Sequence, residues 1–95
     1  MKVSWLSDAL NELDRVYEYV ASENPQAAKA IFQKIQAAAT HLSRFPEIGR
    51  PGHVQGTREV VVADAPYVIV YRLVADRIEI LCVLHTSKDR SPLDH

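Results

Sequence analysis

This sequence lacks the features that define several common classes of protein. It has one cysteine, Cys82, so no disulfide can form within the chain. No apolar run is longer than five residues, whereas roughly 20 are needed to cross a bilayer. The amino terminus has neither the continuous apolar segment nor the small-residue cleavage pattern of a secretory signal. We therefore predict a cytoplasmic protein without a membrane segment, in which Cys82 is a buried and unreactive thiol.

Neither sign of charge is in excess. Eleven basic and twelve acidic side chains give a net charge of −1, whereas a protein that grips nucleic acid usually carries a clear cationic excess. Residues 1–43 hold four basic and five acidic side chains, and residues 44–95 hold seven of each. The sequence allows a local basic patch but excludes a basic protein.

Motifs for metal, nucleotide or nucleophilic chemistry are also missing. The histidines are His41, His53, His85 and His95. No two of them have the spacing of a helical metal site or a companion cysteine, so we expect no metal. There is no glycine-rich phosphate loop after a strand and no Gly-x-Ser-x-Gly elbow. We therefore expect no cofactor, and we exclude nucleotide binding and nucleophilic hydrolysis.

The first half of the chain predicts two helices. Leucine and valine at spacings of three and four form one apolar stripe along residues 8–22, with Ser7 as the N-cap. The second helix is predicted over residues 25–44, with Asn24 as the N-cap and Pro25 at the first helical position. Only three residues separate the two helices, which predicts an antiparallel helical hairpin.

The second half predicts strands, and a short edge strand is expected at residues 1–6. Residues 47–56 contain all three glycines and are predicted to form a loop. Three runs rich in Val, Ile and Tyr follow, at residues 58–62, 67–74 and 77–84. Their short connections force an antiparallel meander. We predict one α+β domain over residues 1–95, with the order β-α-α-β-β-β and a polar tail at residues 86–95.

The last predicted strand is apolar on both sides. Alternation with a period of two places four side chains on one face, namely Ile78, Ile80, Cys82 and Leu84. Leu81 and Val83 then fall on the opposite face, beside Glu79 and His85. Either the strand is covered on both sides, or one side is kept for a partner. Because two helices can cover only one face, we favour a partner surface that includes Leu81 and Val83.

Several side chains with acid–base or cationic chemistry are predicted near the ends of these strands. They are Arg58, Glu59, Arg72, His85, Lys88 and Arg90. Cleavage of RNA through an activated 2′-hydroxyl needs a general base, a general acid and a cation for the phosphorane charge. Glu59 or His85 could act as base and acid. Arg58, Arg72 or Arg90 could supply the cation. The alternative, which the residue types alone favour, is that these are solvated charges at strand ends.

Six segments in register resemble one family of proteins. They are Trp5 before the first helix, ENPQAA at the start of the second helix, FPEIGRPG in the loop, GTREVVV, YVIVYRL and RIEILCVLHTSKD. In this order they resemble toxins of the RelE/ParE superfamily from bacterial type II toxin–antitoxin modules. The resemblance implies a compact antiparallel sheet with a helical hairpin. It also implies a small ParD-like or RelB-like antitoxin that wraps and neutralises the toxin in a hetero-oligomer.

The superfamily divides by target. RelE-like members are ribosome-dependent endoribonucleases that cut mRNA, whereas ParE-like members inhibit DNA gyrase and are not known to need catalytic residues. The ribonucleases are generally markedly basic, and this chain has a net charge of −1. We therefore favour the ParE-like branch, with RelE-like cleavage of mRNA on the ribosome as the alternative. A third alternative is an inactive toxin that is kept because it binds the antitoxin.

These alternatives assign different roles to the same residues. On the ParE-like interpretation the sheet face, the C-terminal tail and the arginine-rich loop engage gyrase. The predicted target or antitoxin surface consists of Arg58, Leu81, Val83, His85, Lys88 and Arg90. On the ribonuclease interpretation the chain is an enzyme, and the predicted catalytic set is Arg58, Glu59, Arg72, His85 and Arg90.

Overall fold

The chain folds into a five-stranded sheet with two helices on one side. The computed structural model describes residues 1–86. The elements in chain order are β1 (Lys2–Trp5), α1 (Ser7–Ala21), α2 (Pro25–Arg44), β2 (Arg50–Pro51), β3 (Arg58–Val61), β4 (Tyr67–Val74) and β5 (Arg77–His85). The predicted α+β class and order are confirmed, with β2 as an additional short strand. All of the predicted tail except Thr86 lies outside the described residues.

The sheet has the strand order β1-β5-β4-β3-β2. Strands β3, β4 and β5 form the predicted antiparallel meander, and β1 pairs parallel to β5 across the helical hairpin. The prediction that residues 47–56 form only a loop is wrong, because Arg50 pairs with Glu59 in an antiparallel ladder. Gly52 N donates to Thr57 O at 2.8 Å and closes this ladder. Pro51 is tolerated because β2 is an edge strand.

The second helix follows its local signals, and the first does not. The side chain of Asn24 caps α2 by accepting a hydrogen bond from Ala27 N at 3.1 Å. The prediction of Ser7 as the N-cap of α1 is wrong by one residue, because Leu6 occupies that position without a side-chain cap. Leu6 N donates to Ile80 O at 3.1 Å. The pairing with β5 therefore continues through Leu6, and α1 begins only after this residue.

The core lies between the two helices and one face of the sheet, which we call the helix-covered face. The buried residues of this cluster are Ala9, Leu13, Ile35, Ala39, Leu42, Val62, Tyr67, Ile69, Tyr71, Ile78, Ile80 and Val83. Full burial of one of the valine, leucine or isoleucine side chains in this cluster contributes about 1.5–3 kcal/mol to the free energy of unfolding. Among residues 1–86, no helix is both long and apolar enough to cross a membrane.

A bulge in β5 changes which side chains face the helices. Val70 pairs with Cys82 and Tyr71 pairs with Ile80, so Leu81 is an extra residue in the ladder. Beyond the bulge the alternation is reversed. Val83 therefore points into the core and is only 2% exposed. The prediction that Val83 lies on an open partner surface is wrong for this reason.

The opposite side of the sheet, which we call the second face, contains both apolar and charged residues. Cross-strand pairing assigns to it Glu59, Val61, Val68, Val70, Arg72, Glu79, Cys82 and Leu84. Val68 and Val70 are buried although they do not belong to the helix-covered core cluster. Cys82 and Leu84 were predicted to share a face with Ile80, and the bulge moves them here. Cys82 is half-buried rather than fully buried.

Candidate functional site

Two side chains of the sheet hold the segment that follows α2. The Tyr71 hydroxyl donates to Pro46 O at 2.8 Å and accepts a hydrogen bond from Gly49 N at 2.9 Å. Arg58 Nη1 donates to Glu47 O at 3.1 Å and to Gly49 O at 2.9 Å. Burial raises the pKa of Tyr71, which keeps the hydroxyl protonated as a donor. Arg58 is therefore committed to the backbone of this loop.

Gly49 is required at the centre of this arrangement. A Cβ atom at Gly49 would lie 2.6 Å from the Tyr71 hydroxyl oxygen and 2.9 Å from Glu59 O. Both separations are shorter than any real Cβ contact, and one neighbour is backbone that cannot move aside easily. The glycine is explained by close approach of the loop to the sheet.

Glu59 anchors the next part of the loop from the second face. Its side chain is only 4% exposed, and it lies 3.5 Å from Arg50 Nη2 and 3.0 Å from His53 Nδ1. His53 N donates to the same carboxylate at 3.4 Å. Burial alone raises the pKa of Glu59, but the hydrogen bonds from His53 and the charges of His53 and Arg50 outweigh it and hold the pKa below its usual value. The carboxylate is covered by two partly exposed side chains, so its surroundings stay polar.

A second carboxylate on the same face pairs with two arginines of the sheet. Glu79 Oε1 accepts from Arg72 Nε at 2.9 Å, and Glu79 Oε2 accepts from Arg77 Nη2 at 2.9 Å. These two hydrogen bonds, together with the charges of the same arginines, lower the pKa of Glu79 despite an opposing effect of burial. Arg72 is therefore a structural partner of Glu79, although about half of its side chain remains exposed at 49%.

His85 lies on the other side of the sheet from Glu59. It pairs with Tyr67 at the end of β5, and the two rings meet edge to face with centroids 5.3 Å apart. Tyr67 belongs to the helix-covered core, whereas Glu59 pairs with Val70 on the second face. A small cleft of about 230 Å³ borders His85, lined by Glu12, Arg15, Val16, Tyr19, Tyr67, Val83 and His85.

The structure thus divides the predicted catalytic set. Glu59 and Arg72 lie on the second face, while His85 lies on the helix-covered face. Arg58 pairs with Tyr71 and holds the loop. Arg90, like Lys88, lies outside the described residues. Among residues 1–86, no three His, Cys, Asp or Glu side chains are grouped so that they could hold a metal ion.

The loop anchors were not recognised from the sequence. Tyr71 binds backbone groups 22 and 25 residues away along the chain. Arg50 and His53 meet Glu59 only because β2 pairs with β3, so no local pattern identifies the three as a unit. The one usable signal is the concentration of glycine in residues 47–56, which indicates a backbone that must approach other atoms closely.

Comparison with known proteins agrees with this architecture. Residues 3–90 match the family described as ParE toxin of type II toxin-antitoxin system, parDE. The chain belongs to this ParE toxin family. It is therefore a toxin of a type II toxin–antitoxin system, as the sequence predicted. Since a type II toxin is paired with a protein antitoxin, an antitoxin is a partner of this chain.

Individual relatives cover nearly the whole chain. The toxin candidate Y4kP of Sinorhizobium fredii is 40% identical over 87 residues, which are 92% of this chain and 90% of that protein. Toxin RelE2 of Caulobacter vibrioides is 31% identical over 87 residues, covering 92% and 97% of the two chains. A solved structure of a chromosomal ParDE system from P. aeruginosa has a TM-score of 0.83 at 24% identity, with coverage of 92% and 97%. This last similarity supports the fold.

Proposed function

We propose that this ParE-family toxin acts in the cytoplasm by binding and inhibiting DNA gyrase, and that it is not an enzyme. The observation that carries the proposal is the separation of Glu59 from His85. A general base and a general acid must both reach one substrate, within about 3 Å of the atoms that exchange protons. Side chains on opposite faces of a sheet cannot do so together.

The pairing of the arginines supports the same proposal. Arg50 is paired with Glu59, and both Arg72 and Arg77 are paired with Glu79. RNA binding depends on cations that neutralise phosphates and release counterions. Arginines that already share a carboxylate offer less of this attraction, whereas a protein target such as gyrase makes no such demand. Of the predicted target or antitoxin surface, Leu81 and His85 stay candidates for direct contact among the described residues, whereas Arg58 holds the loop.

The test is a supercoiling reaction with purified gyrase, relaxed plasmid, ATP and increasing amounts of toxin. We expect loss of supercoiled product or accumulation of cleaved DNA. Relaxation of the same plasmid by a type I topoisomerase is the control and should be unaffected. Neither effect at a large molar excess of active toxin would contradict the proposal.

Cleavage of mRNA is the second candidate function, favoured by the name of the relative Toxin RelE2, which is 31% identical. The catalytic set predicted for it is Arg58, Glu59, Arg72, His85 and Arg90, of which Glu59 and His85 lie on opposite faces of the sheet. Primer extension on mRNA from a translation extract distinguishes the two functions. Codon-specific cuts that appear with toxin and disappear in a His85→Ala variant would support cleavage. Intact mRNA at every dose of toxin would contradict mRNA cleavage as the function.

A further inference from the structure

An apolar turn protrudes where α2 meets the sheet. We call residues 45–48 the apolar turn. Phe45 is 52% exposed and Ile48 is 50% exposed, although both are large hydrophobic residues. Ile48 N donates to Phe45 O at 3.1 Å, which closes the turn and brings its two ends together. A shallow depression of about 410 Å³ runs along it, lined by Arg44, Phe45, Pro46, Glu47 and Ile48.

The backbone of the apolar turn is held more firmly than an ordinary surface loop. Tyr71 and Arg58 make four hydrogen bonds to the backbone of residues 46–49. Tyr71 itself is fully buried, so the anchor belongs to the core. The ring of Phe45 also lies against that of His41 in the last turn of α2, with centroids 4.9 Å apart. The exposed side chains are therefore presented in a fixed geometry, which reduces the entropy lost on binding.

The charges around the apolar turn define the partner that would fit it. Arg44 precedes the turn and Arg58 follows it, against one acidic residue within it, Glu47. Glu59 and Arg50 are paired with each other, so neither adds a free charge to this border. Half-exposed apolar residues bordered by cations complement an apolar recess bordered by carboxylates.

We infer that the toxin binds the protein it inhibits through the apolar turn. Phe45 and Ile48 enter an apolar recess of that protein, and acidic residues border the recess. The inference rests on the proposed function in that the partner is the inhibited protein. Phe45 and Ile48 make the contact, while Tyr71 and Arg58 are positioning residues that act through the backbone of the turn.

The experiment compares the double variant Phe45→Ser with Ile48→Ser against the matched control Leu10→Ser. Leu10 lies on α1 and is 47% exposed, so it has similar exposure at a distant site. Binding to purified gyrase holoenzyme and growth arrest on induction are measured for each protein, with thermal unfolding as the check on folding. Loss of two contact residues of a binding centre should weaken gyrase binding at least ~10-fold. The control should bind like the wild type.

Two milder variants keep the test informative if the double variant unfolds. Arg44→Gln removes one cation of the rim, and its effect on gyrase binding should shrink as salt is raised. Tyr71→Phe removes only the hydroxyl, and should speed amide exchange at Gly49 while it weakens gyrase binding. A purely structural role for Tyr71 would speed the exchange without changing the binding.

Failure of the inference and failure of the proposed function give different results. Suppose that the wild type does not bind gyrase, and that growth arrest is lost in the double variant but kept in the Leu10→Ser control. The inference then stands, and gyrase is not the target. If gyrase binding and growth arrest are equal in wild type and double variant, the inference is overturned. It is also overturned if the double variant stays toxic but escapes rescue by the co-expressed antitoxin, because the turn would then bind the antitoxin.

Discussion

The two faces of the sheet are built from the same strands but are stabilised in different ways. On the helix-covered face, Ile69, Tyr71 and Ile80 are completely buried against the helices. On the second face, Glu59 is paired with Arg50 and His53, and Glu79 is paired with Arg72 and Arg77. Apolar burial is worth several times more than an ion pair at a partly solvated site. We therefore expect the first face to determine stability and the second to organise polar groups.

The largest expected effect is on the helix-covered face. Ile80→Ala removes fully buried atoms and leaves a cavity, so it should lower the free energy of unfolding by about 2–5 kcal/mol. Leu84→Ala, at a half-buried site on the second face, is the matched control and should cost clearly less. Chemical denaturation measures both. Equal losses would mean that the two faces contribute alike and would contradict the comparison.

Some features of the fold could be predicted from the sequence and others could not, because only some of them depend on local signals. Asn24 and Pro25 carry local signals, so the predicted limits of α2 match the structure. The bulge at Leu81 lies in a run from Ile80 to Leu84 that is apolar throughout, so alternation contains no information about faces there. The loop anchors depend on contacts between distant residues, such as that of Tyr71 with Pro46. Only the fold supplies these contacts.

The next effect in size concerns the loop that crosses from one face to the other. Gly49→Ala would place a Cβ atom 2.6 Å from the Tyr71 hydroxyl oxygen and 2.9 Å from Glu59 O. We expect a loss of about 1–3 kcal/mol, because the loop must move away from the sheet. An unchanged unfolding midpoint for Gly49→Ala would show that the loop is not tightly held.

A smaller effect is expected at Glu59 on the second face. Glu59→Gln keeps the shape but removes the charge that binds Arg50 and His53, and should cost about 1 kcal/mol at neutral pH. The folded pKa of Glu59 lies below its ordinary value of 4.5. Its contribution is therefore complete above the unfolded pKa and is lost as the pH falls through the folded pKa.

Unfolding of wild type and Glu59→Gln across a pH series measures this contribution. The difference between the two proteins should be constant near neutral pH and should disappear on acidification below pH 4.5, the ordinary value of the glutamate pKa. A difference that persists unchanged at low pH would mean that the ionic contacts of Glu59 do not stabilise the loop.

The last prediction concerns Cys82 on the second face, and the quantity measured is the rate at which its thiol is modified. Burial, with a contribution from the nearby charges of Glu12 and Glu59, raises the pKa of this thiol to about 11. Because the thiolate is the reactive form, iodoacetamide at pH 8 should modify the folded protein slowly and the denatured protein rapidly. Mass spectrometry follows both reactions. Equal rates would show that the second face does not shield Cys82.

The proposed inhibition of gyrase by this ParE-family toxin is tested most directly by the topology of a plasmid in cells. Plasmid is isolated at intervals after induction of the toxin and its topoisomers are separated by electrophoresis. We expect negative supercoiling to fall before growth stops, and the antitoxin to prevent the change. Growth arrest with unchanged topoisomers and cleaved mRNA would contradict it.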